Sequence, residues 1–291
     1  MSAGGRRTNC ASRTEPVKRL RALFLAPAWT VTVVLFLAPL AIIFAYSLLT
    51  RGAWGGVMPP WNGDNYRRLA DPLYLVILLR TFAIAGVTTL LCIVLGFPMA
   101  LFVSRSRRRN LWLSLIMLPF WTSFLVRTYA WMFLLRDTGL INTVLQSLRL
   151  IRQPLPLLYN DAAVVLGLVY AYLPFTVLPL YATLERLDRN LLEAAADLGA
   201  GPWTTLARVT LPLCAPGIRA GAILVFIPCL GAYLTPDLLG GGKAVMIGNL
   251  IQNQFTNARD WPFGSAVSLA LMAIVMVLLF GLVRRREDAL L

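Results

Sequence analysis

Apolar residues run along the chain in six long stretches separated by shorter polar connections. They span approximately Leu23–Leu49, Leu73–Val103, Leu111–Leu135, Ala162–Leu184, Ile218–Leu239 and Gly264–Val283. A helix needs about 20 residues to cross a hydrocarbon core, and helices satisfy every backbone group internally in lipid. The pattern therefore predicts six transmembrane helices. The fifth is the weakest, being short and interrupted by Pro228. A polar segment between the fourth and fifth, Leu187 to Pro212, has a different texture. Leu191, Leu192, Ala195 and Leu198 recur there at helical spacing, and Glu193 and Asp197 take a different face. Gly199 and Gly201 bracket a turn, because glycine tolerates left-handed geometry. Pro202 suits the first position of a second helix, on which Trp203, Leu206 and Val209 form an apolar stripe. Pro212 ends that helix, and Pro216 keeps the chain from running straight into the fifth span. The segment predicts a short helix pair lying near one membrane face.

Composition agrees with a membrane protein. Hydrophobic residues make up 58% of the chain and charged residues 14%, against about 25% charged in soluble domains. The net charge of +14 is concentrated at the ends of the apolar stretches, so topology explains it better than nucleic acid does. One set of connections holds Arg6, Arg7, Arg13, Lys18, Arg19 and Arg21; Arg105 and Arg107 to Arg109; Arg186, Arg189, Arg208 and Arg219; and Arg284 to Arg286. It outnumbers the opposite set by about two to one, so it is the cytosolic one. Both termini and the helix pair are then inside. The first apolar run is too long for the roughly 7–15 residues of a signal-peptide core and is read as an uncleaved span. Residues 1–22 form a basic cytosolic tail, 23–285 the six-helix domain, and 286–291 a cytosolic C-terminal tail.

The remaining chemistry is sparse. The chain has no histidine, which removes histidine ligands and histidine acid–base catalysis. Cys10, Cys92, Cys214 and Cys229 lack metal-ligand spacing, and free buried thiols are expected. No catalytic residue and no metal site are predicted. Trp54, Trp61, Tyr66, Tyr74, Tyr159 and Trp261 flank the outer connections as an aromatic belt, and Gly240 to Gly242 form a flexible outer turn. Arg127 is the most interior basic residue, toward the outer third of the third span. A structural pairing or snorkelling to the outer interface is expected of it, and snorkelling of Arg80. Pro119, Pro174, Pro179 and Pro228 lie within or near spans, where they kink helices or only set packing angles.

From the residues alone, the helix pair is either an interfacial loop that covers the bundle or a docking element. Glu193-Ala194-Ala195, Gly199 four residues after Ala195, and Val209-Thr210-Leu211-Pro212 resemble the EAA loop of ABC importer permeases. Val209 stands where that pattern has isoleucine. The resemblance implies an all-α integral membrane protein, a six-span type I ABC importer transmembrane domain with a cytosolic coupling helix. Its coupling loop occupies about residues 185–217, and Glu193, Ala194, Ala195, Asp197, Gly199, Gly201, Pro202 and Trp203 are its candidate contact residues. Leu118 to Thr122, Leu125 to Trp131, Gly167 to Tyr170, Leu173 to Phe175, Pro179 to Tyr181, Pro236 to Gly241, Met246 to Asn249 and Asp260 to Gly264 are similar to spermidine/putrescine permeases of the PotB/PotH type.

That resemblance implies a bacterial inner-membrane location and a set of partners. These are a second permease, two cytosolic ATPase subunits, an extracytoplasmic polyamine-binding protein and membrane lipid, with no nucleic acid. The sequence contains no Walker lysine motif, so the chain is expected to bind no cofactor and to leave ATP and Mg to the ATPase. Polyamines are polycations, which aromatic faces and carboxylates suit. Asp237, Tyr129, Tyr170, Tyr172, Tyr233 and Trp121 are the pathway candidates. Helix packing is the alternative role for the aromatics, and a turn or cap for Asp237. The same machinery moving another small solute is the runner-up. An ion-gradient-driven transporter would not need the loop, and a membrane-embedded enzyme would need paired carboxylates that are missing.

Overall fold

The computed structural model of the chain describes residues 14–287. Cys10 and Arg6, Arg7 and Arg13 lie outside the described residues, as do residues 288–291. The helices in chain order are α1 (Thr14–Ser47), α2 (Asp64–Leu69), α3 (Pro72–Arg105), α4 (Arg109–Met117), α5 (Phe124–Leu135), α6 (Leu140–Ser147), α7 (Asp161–Glu185) and α8 (Arg189–Asp197). They continue as α9 (Pro202–Thr205), α10 (Leu211–Leu213), α11 (Ala215–Leu230), α12 (Leu234–Gly240), α13 (Ile247–Thr256) and α14 (Trp261–Glu287). Of these, α1, α3, α7 and α14 contain stretches long and apolar enough to cross a bilayer, and two bent helix pairs bring the total to as many as six.

The bundle centres on α3, α7 and α11, which pack on one another, while α1 leans on α14. Cys92, Val169 and Val225 meet at the centre of that triple contact. Cys92, Cys214 and Cys229 are free and buried, as expected. Helix starts are built from local chemistry. The Asp71 carboxylate accepts from Leu73 N at 2.9 Å with Pro72 in the first turn of α3. Asn160 does the same for Ala163 N at 2.8 Å at the start of α7.

Two of the six expected helices depart from a straight span. The third stretch, expected over Leu111–Leu135, turns by 89° between Trp121 and Phe124. Pro119 has no N–H to offer and starts a tight turn over Leu118–Trp121. Thr122 then closes it, its N–H and hydroxyl both donating to the Pro119 carbonyl, at 3.2 and 2.7 Å. The fifth stretch, expected from Ile218 to Leu239, is α11 followed by a break at residues 231–233 and then α12. The 16 residues of α11 rise only about 24 Å, so the break falls within the thickness of a bilayer. Pro174 and Pro179, by contrast, sit inside an unbroken α7.

Close approach of α12 to α7 depends on Gly167. A Cβ there would run into the side chains of Leu239 and Thr235. Gly167→Leu is expected to cost about 1–3 kcal/mol, lowering the melting temperature in detergent. Gly86→Leu, in a position with open space, should leave it unchanged.

The connections after α1, before α7 and before α14 are tied down. A two-stranded hairpin, β1 (Thr50–Arg51) with β2 (Val57–Met58), is held by Arg51 donating to the Ala258 carbonyl at 2.6 Å. Buried Asn65 of α2 donates to the carbonyls of Ser47 and Leu49, both at 2.9 Å. Arg68 reaches the buried Asp260 at 2.9 Å and lies over the Phe263 ring, 4.2 Å from its centroid. Burial alone would lower the Arg68 pKa, but Asp260, helped by Tyr74, outweighs it and raises it. Tyr66 and Tyr74 therefore do more than line an interface: Tyr66 shares a hydrogen bond with Ser47 at 2.8 Å, and Tyr74 stacks on Phe263 at 4.9 Å. Arg80 binds Asp161 and, at 2.7 Å, the Lys243 carbonyl, so it is clamped rather than simply snorkelling. The glycines expected as a flexible turn instead close α12: Gly241, at φ +56, lies against the Tyr159 ring.

Candidate functional site

The polar interruption folds into a helical hairpin. Asp188 caps α8, accepting from Asn190 N at 3.0 Å. At the other end Gly199 adopts φ +77, and the N–H groups of Gly199 and Ala200 return to the carbonyls of Ala196 and Ala195 at 2.8 and 3.0 Å. This left-handed helix stop is one that glycine reaches without strain. Gly201 is extended, and Pro202 opens the returning helix. That helix does not end at Pro212. It widens over Leu206–Thr210, where the Leu211 N–H reaches back five residues to the Leu206 carbonyl. The wider turn carries Pro212, which has no N–H to give, into α10. The chain bends by 65° only on entering α11.

The predicted apolar stripes are only partly buried. Ala195 is buried and Leu192 half-buried, but Leu191 is exposed and Leu198 is 89% exposed. On the returning helix Leu206 and Val209 are half-buried, whereas Trp203 is 82% exposed. Leu198 and Trp203 thus flank the Gly199 turn as two bare apolar side chains. Ala194, Asp197, Gly201 and Pro202 are exposed beside them. Glu193 points elsewhere. It lines a polar cleft of about 420 Å³ shared with Arg105, Arg109, Glu185 and Thr210, in which Arg109 pairs with Glu185. Only the run of arginines from residue 105 to 109 hinted at this cleft in the sequence.

The pathway candidates do not form one cluster. Tyr172 and Tyr233 do come together, lining a cavity of about 180 Å³ with Phe124, Pro228, Leu234 and Thr235 at the fifth-span break. The Tyr172 hydroxyl donates to the Pro228 carbonyl at 3.3 Å. Tyr170 is in a different, apolar cleft with Phe102 and Trp112 and meets Trp131 edge to face, with ring centroids 5.6 Å apart. Trp121 is 91% exposed where the third span bends, Tyr129 is exposed on α5, and Asp237 is exposed in the first turn of α12 without capping it. Arg127 is half-buried and makes no ion pair among the described residues. Its Nε and Nη1 are buried without a hydrogen-bond partner, and its guanidinium lies over Phe120 and Phe124, 4.9 and 5.7 Å from their centroids. Thr235 and Phe124 were not foreseen; the pairing of Pro228 with Gly231 inside an apolar stretch was the available signal.

Known proteins share this architecture and sequence. Residues 92–288 match the model of the family described as binding-protein-dependent transport system inner membrane component. The chain is 44% identical over 243 residues to the spermidine/putrescine transport system permease protein PotB of Escherichia coli K12, covering 83% of this chain and 88% of that one. The Haemophilus influenzae protein of the same name is 40% identical over 255 residues, covering 87% and 88%. The fold also matches a bacterial ABC transporter involved in the import of the acidic polysaccharide alginate, with a TM-score of 0.73 at 18% identity, covering 94% of this chain and 98% of that one. A mostly helical bundle with two bent spans and a helical hairpin between the fourth and fifth is accordingly the transmembrane domain of a type I ABC importer, and the chain belongs to the family of inner membrane components of binding-protein-dependent transport systems.

Proposed function

We propose that this permease moves polyamines, spermidine and putrescine among them, into the cytoplasm. It works with a second permease, two cytosolic ATPase subunits and an extracytoplasmic polyamine-binding protein, in the inner membrane of a bacterium. Both its termini and the α8–α10 hairpin face the cytosol, as the arginine distribution favours. The chain is non-catalytic, and ATP and Mg are bound by the ATPase. The observation that carries the reading is the tip of the hairpin. Two large apolar side chains, Leu198 and Trp203, stand bare on a turn fixed by a left-handed glycine, which is what a docking knob requires. Exposed Ala194 and Gly201 allow a partner surface to approach closely. ATP binding draws the ATPases and the hairpins together and opens the pathway outward, and hydrolysis returns it inward. The names of the 40–44% identical relatives favour polyamine cargo.

The test is reconstitution of the complete complex in proteoliposomes. Spermidine presented with its binding protein is expected to stimulate ATP hydrolysis. An intact complex that shows no stimulation overturns the cargo assignment. Trp203→Ser, at an exposed position, is expected to leave the melting temperature unchanged and to reduce stimulated hydrolysis at least about tenfold. Unchanged hydrolysis would remove Trp203 from the docking surface.

A further inference from the structure

We propose that the break between α11 and α12 is a subsite for one primary ammonium end of the cargo, an inference that rests on the polyamine reading above. The cavity of about 180 Å³ at this break has room for about six water-sized groups. That is enough for an aminobutyl or aminopropyl end.

Its lining has the chemistry an alkylammonium needs. Such a group brings three N–H donors and no acceptor. Inside a membrane it must find acceptors and π-faces, since water is scarce. Thr235 is 1% exposed, and its Oγ1 has no hydrogen-bond partner. Its methyl is the part that faces Gly167, which leaves the hydroxyl unused beside the cavity. The Pro228 carbonyl lies in the last turn of α11, where regular helical bonding runs out, and its recorded side-chain partner is the long 3.3 Å bond from Tyr172. The C-terminal end of α11 adds the negative end of a helix dipole. Tyr172, Tyr233 and Phe124 supply aromatic walls. Arg127, one helical turn past Phe124 on α5, has its guanidinium 5.7 Å from the centroid of that ring and is not part of the cavity lining. Broken helices with unwound carbonyls at membrane depth are a recurrent way of holding cations.

The test uses the complete complex. Thr235→Val keeps the shape and removes the hydroxyl. It is expected to lower kcat/KM for spermidine uptake about tenfold, with Thr235→Ser restoring it to within about twofold. Wild-type uptake with an unaltered Thr235→Val would overturn the subsite and leave the polyamine reading standing. A second measurement leaves Thr235 in place. With 3-fluorotyrosine placed at Tyr233 in the wild-type complex, n-butylammonium is expected to shift the ¹⁹F resonance saturably and n-butanol is not. No saturable shift, or an equal shift with n-butanol, overturns the proposal. A saturable n-butylammonium shift in a complex that imports no polyamine would keep the subsite and refute the cargo.

Discussion

Replacing Gly199 with valine is expected to reduce ATP-coupled uptake by at least about tenfold while the chain still inserts in the membrane. Gly199 holds φ +77, and a Cβ added there meets nothing within 4 Å. The penalty is therefore in the backbone and not in a clash. A left-handed conformation costs an L-residue about 1–2 kcal/mol, and a β-branched side chain more. About 1.4 kcal/mol already shifts a two-state population tenfold. The strain falls on the turn that sets Leu198 against Trp203, so it acts on the geometry of the knob. Asparagine tolerates this conformation, so Gly199→Asn should retain most activity, with Gly199→Ala between the two. An order of valine, alanine, asparagine from worst to best would identify backbone conformation as the cause. Equal activity in all three would detach coupling from the shape of the hairpin.

Asp260→Ala is expected to lower stability by about 2 kcal/mol, mainly through the lost charge-assisted hydrogen bonds, because Arg68 is half exposed. Asp260 is 3% exposed, accepts from Phe263 N at 3.2 Å and pairs with Arg68 at 2.9 Å. Its loss strands the Arg68 charge over the Phe263 ring, uncaps the first turn of α14, and unties α2 from the bundle. The melting temperature of the purified protein in detergent reads the loss. A cycle with Arg68→Ala should show coupling, the double variant being less destabilised than the sum of the two single ones. Strict additivity would mean that the contact carries no weight.

What could be read from the sequence follows from how local each cause is. The membrane-crossing stretches and the hairpin were legible because each rests on short-range chemistry: about 20 apolar residues for a span, and Gly199, Gly201 and Pro202 for the turn. The bends were not. Pro119 breaks its span, while Pro174 and Pro179 are accommodated in α7, although all three have similar apolar surroundings. The difference lies in neighbours such as Thr122, which closes the turn after Pro119, and in the packing of α7 against α3 and α11. The same limit applies to side-chain direction. Trp203, Leu206 and Val209 sit three apart and were expected on one stripe, but Trp203 stands at the tip of the hairpin and is bare, while Leu206 and Val209 are half-buried. Asp260 and Arg68, and likewise Arg80 and Asp161, are too far apart in sequence for any local pattern to pair them. Tyr172 and Tyr233 were foreseen as pathway residues, yet Thr235, which lines the same cavity, became visible only with the break in the fifth span.

The central claim is that ATP hydrolysed by a partner drives cargo through this chain. The most direct measurement is radiolabelled spermidine uptake into proteoliposomes holding the complete complex, compared with vesicles lacking only the ATPase subunits. Accumulation against a gradient that requires both the ATPase subunits and ATP is the predicted result. Equal accumulation in vesicles without the ATPase, driven by a proton or sodium gradient, would contradict it.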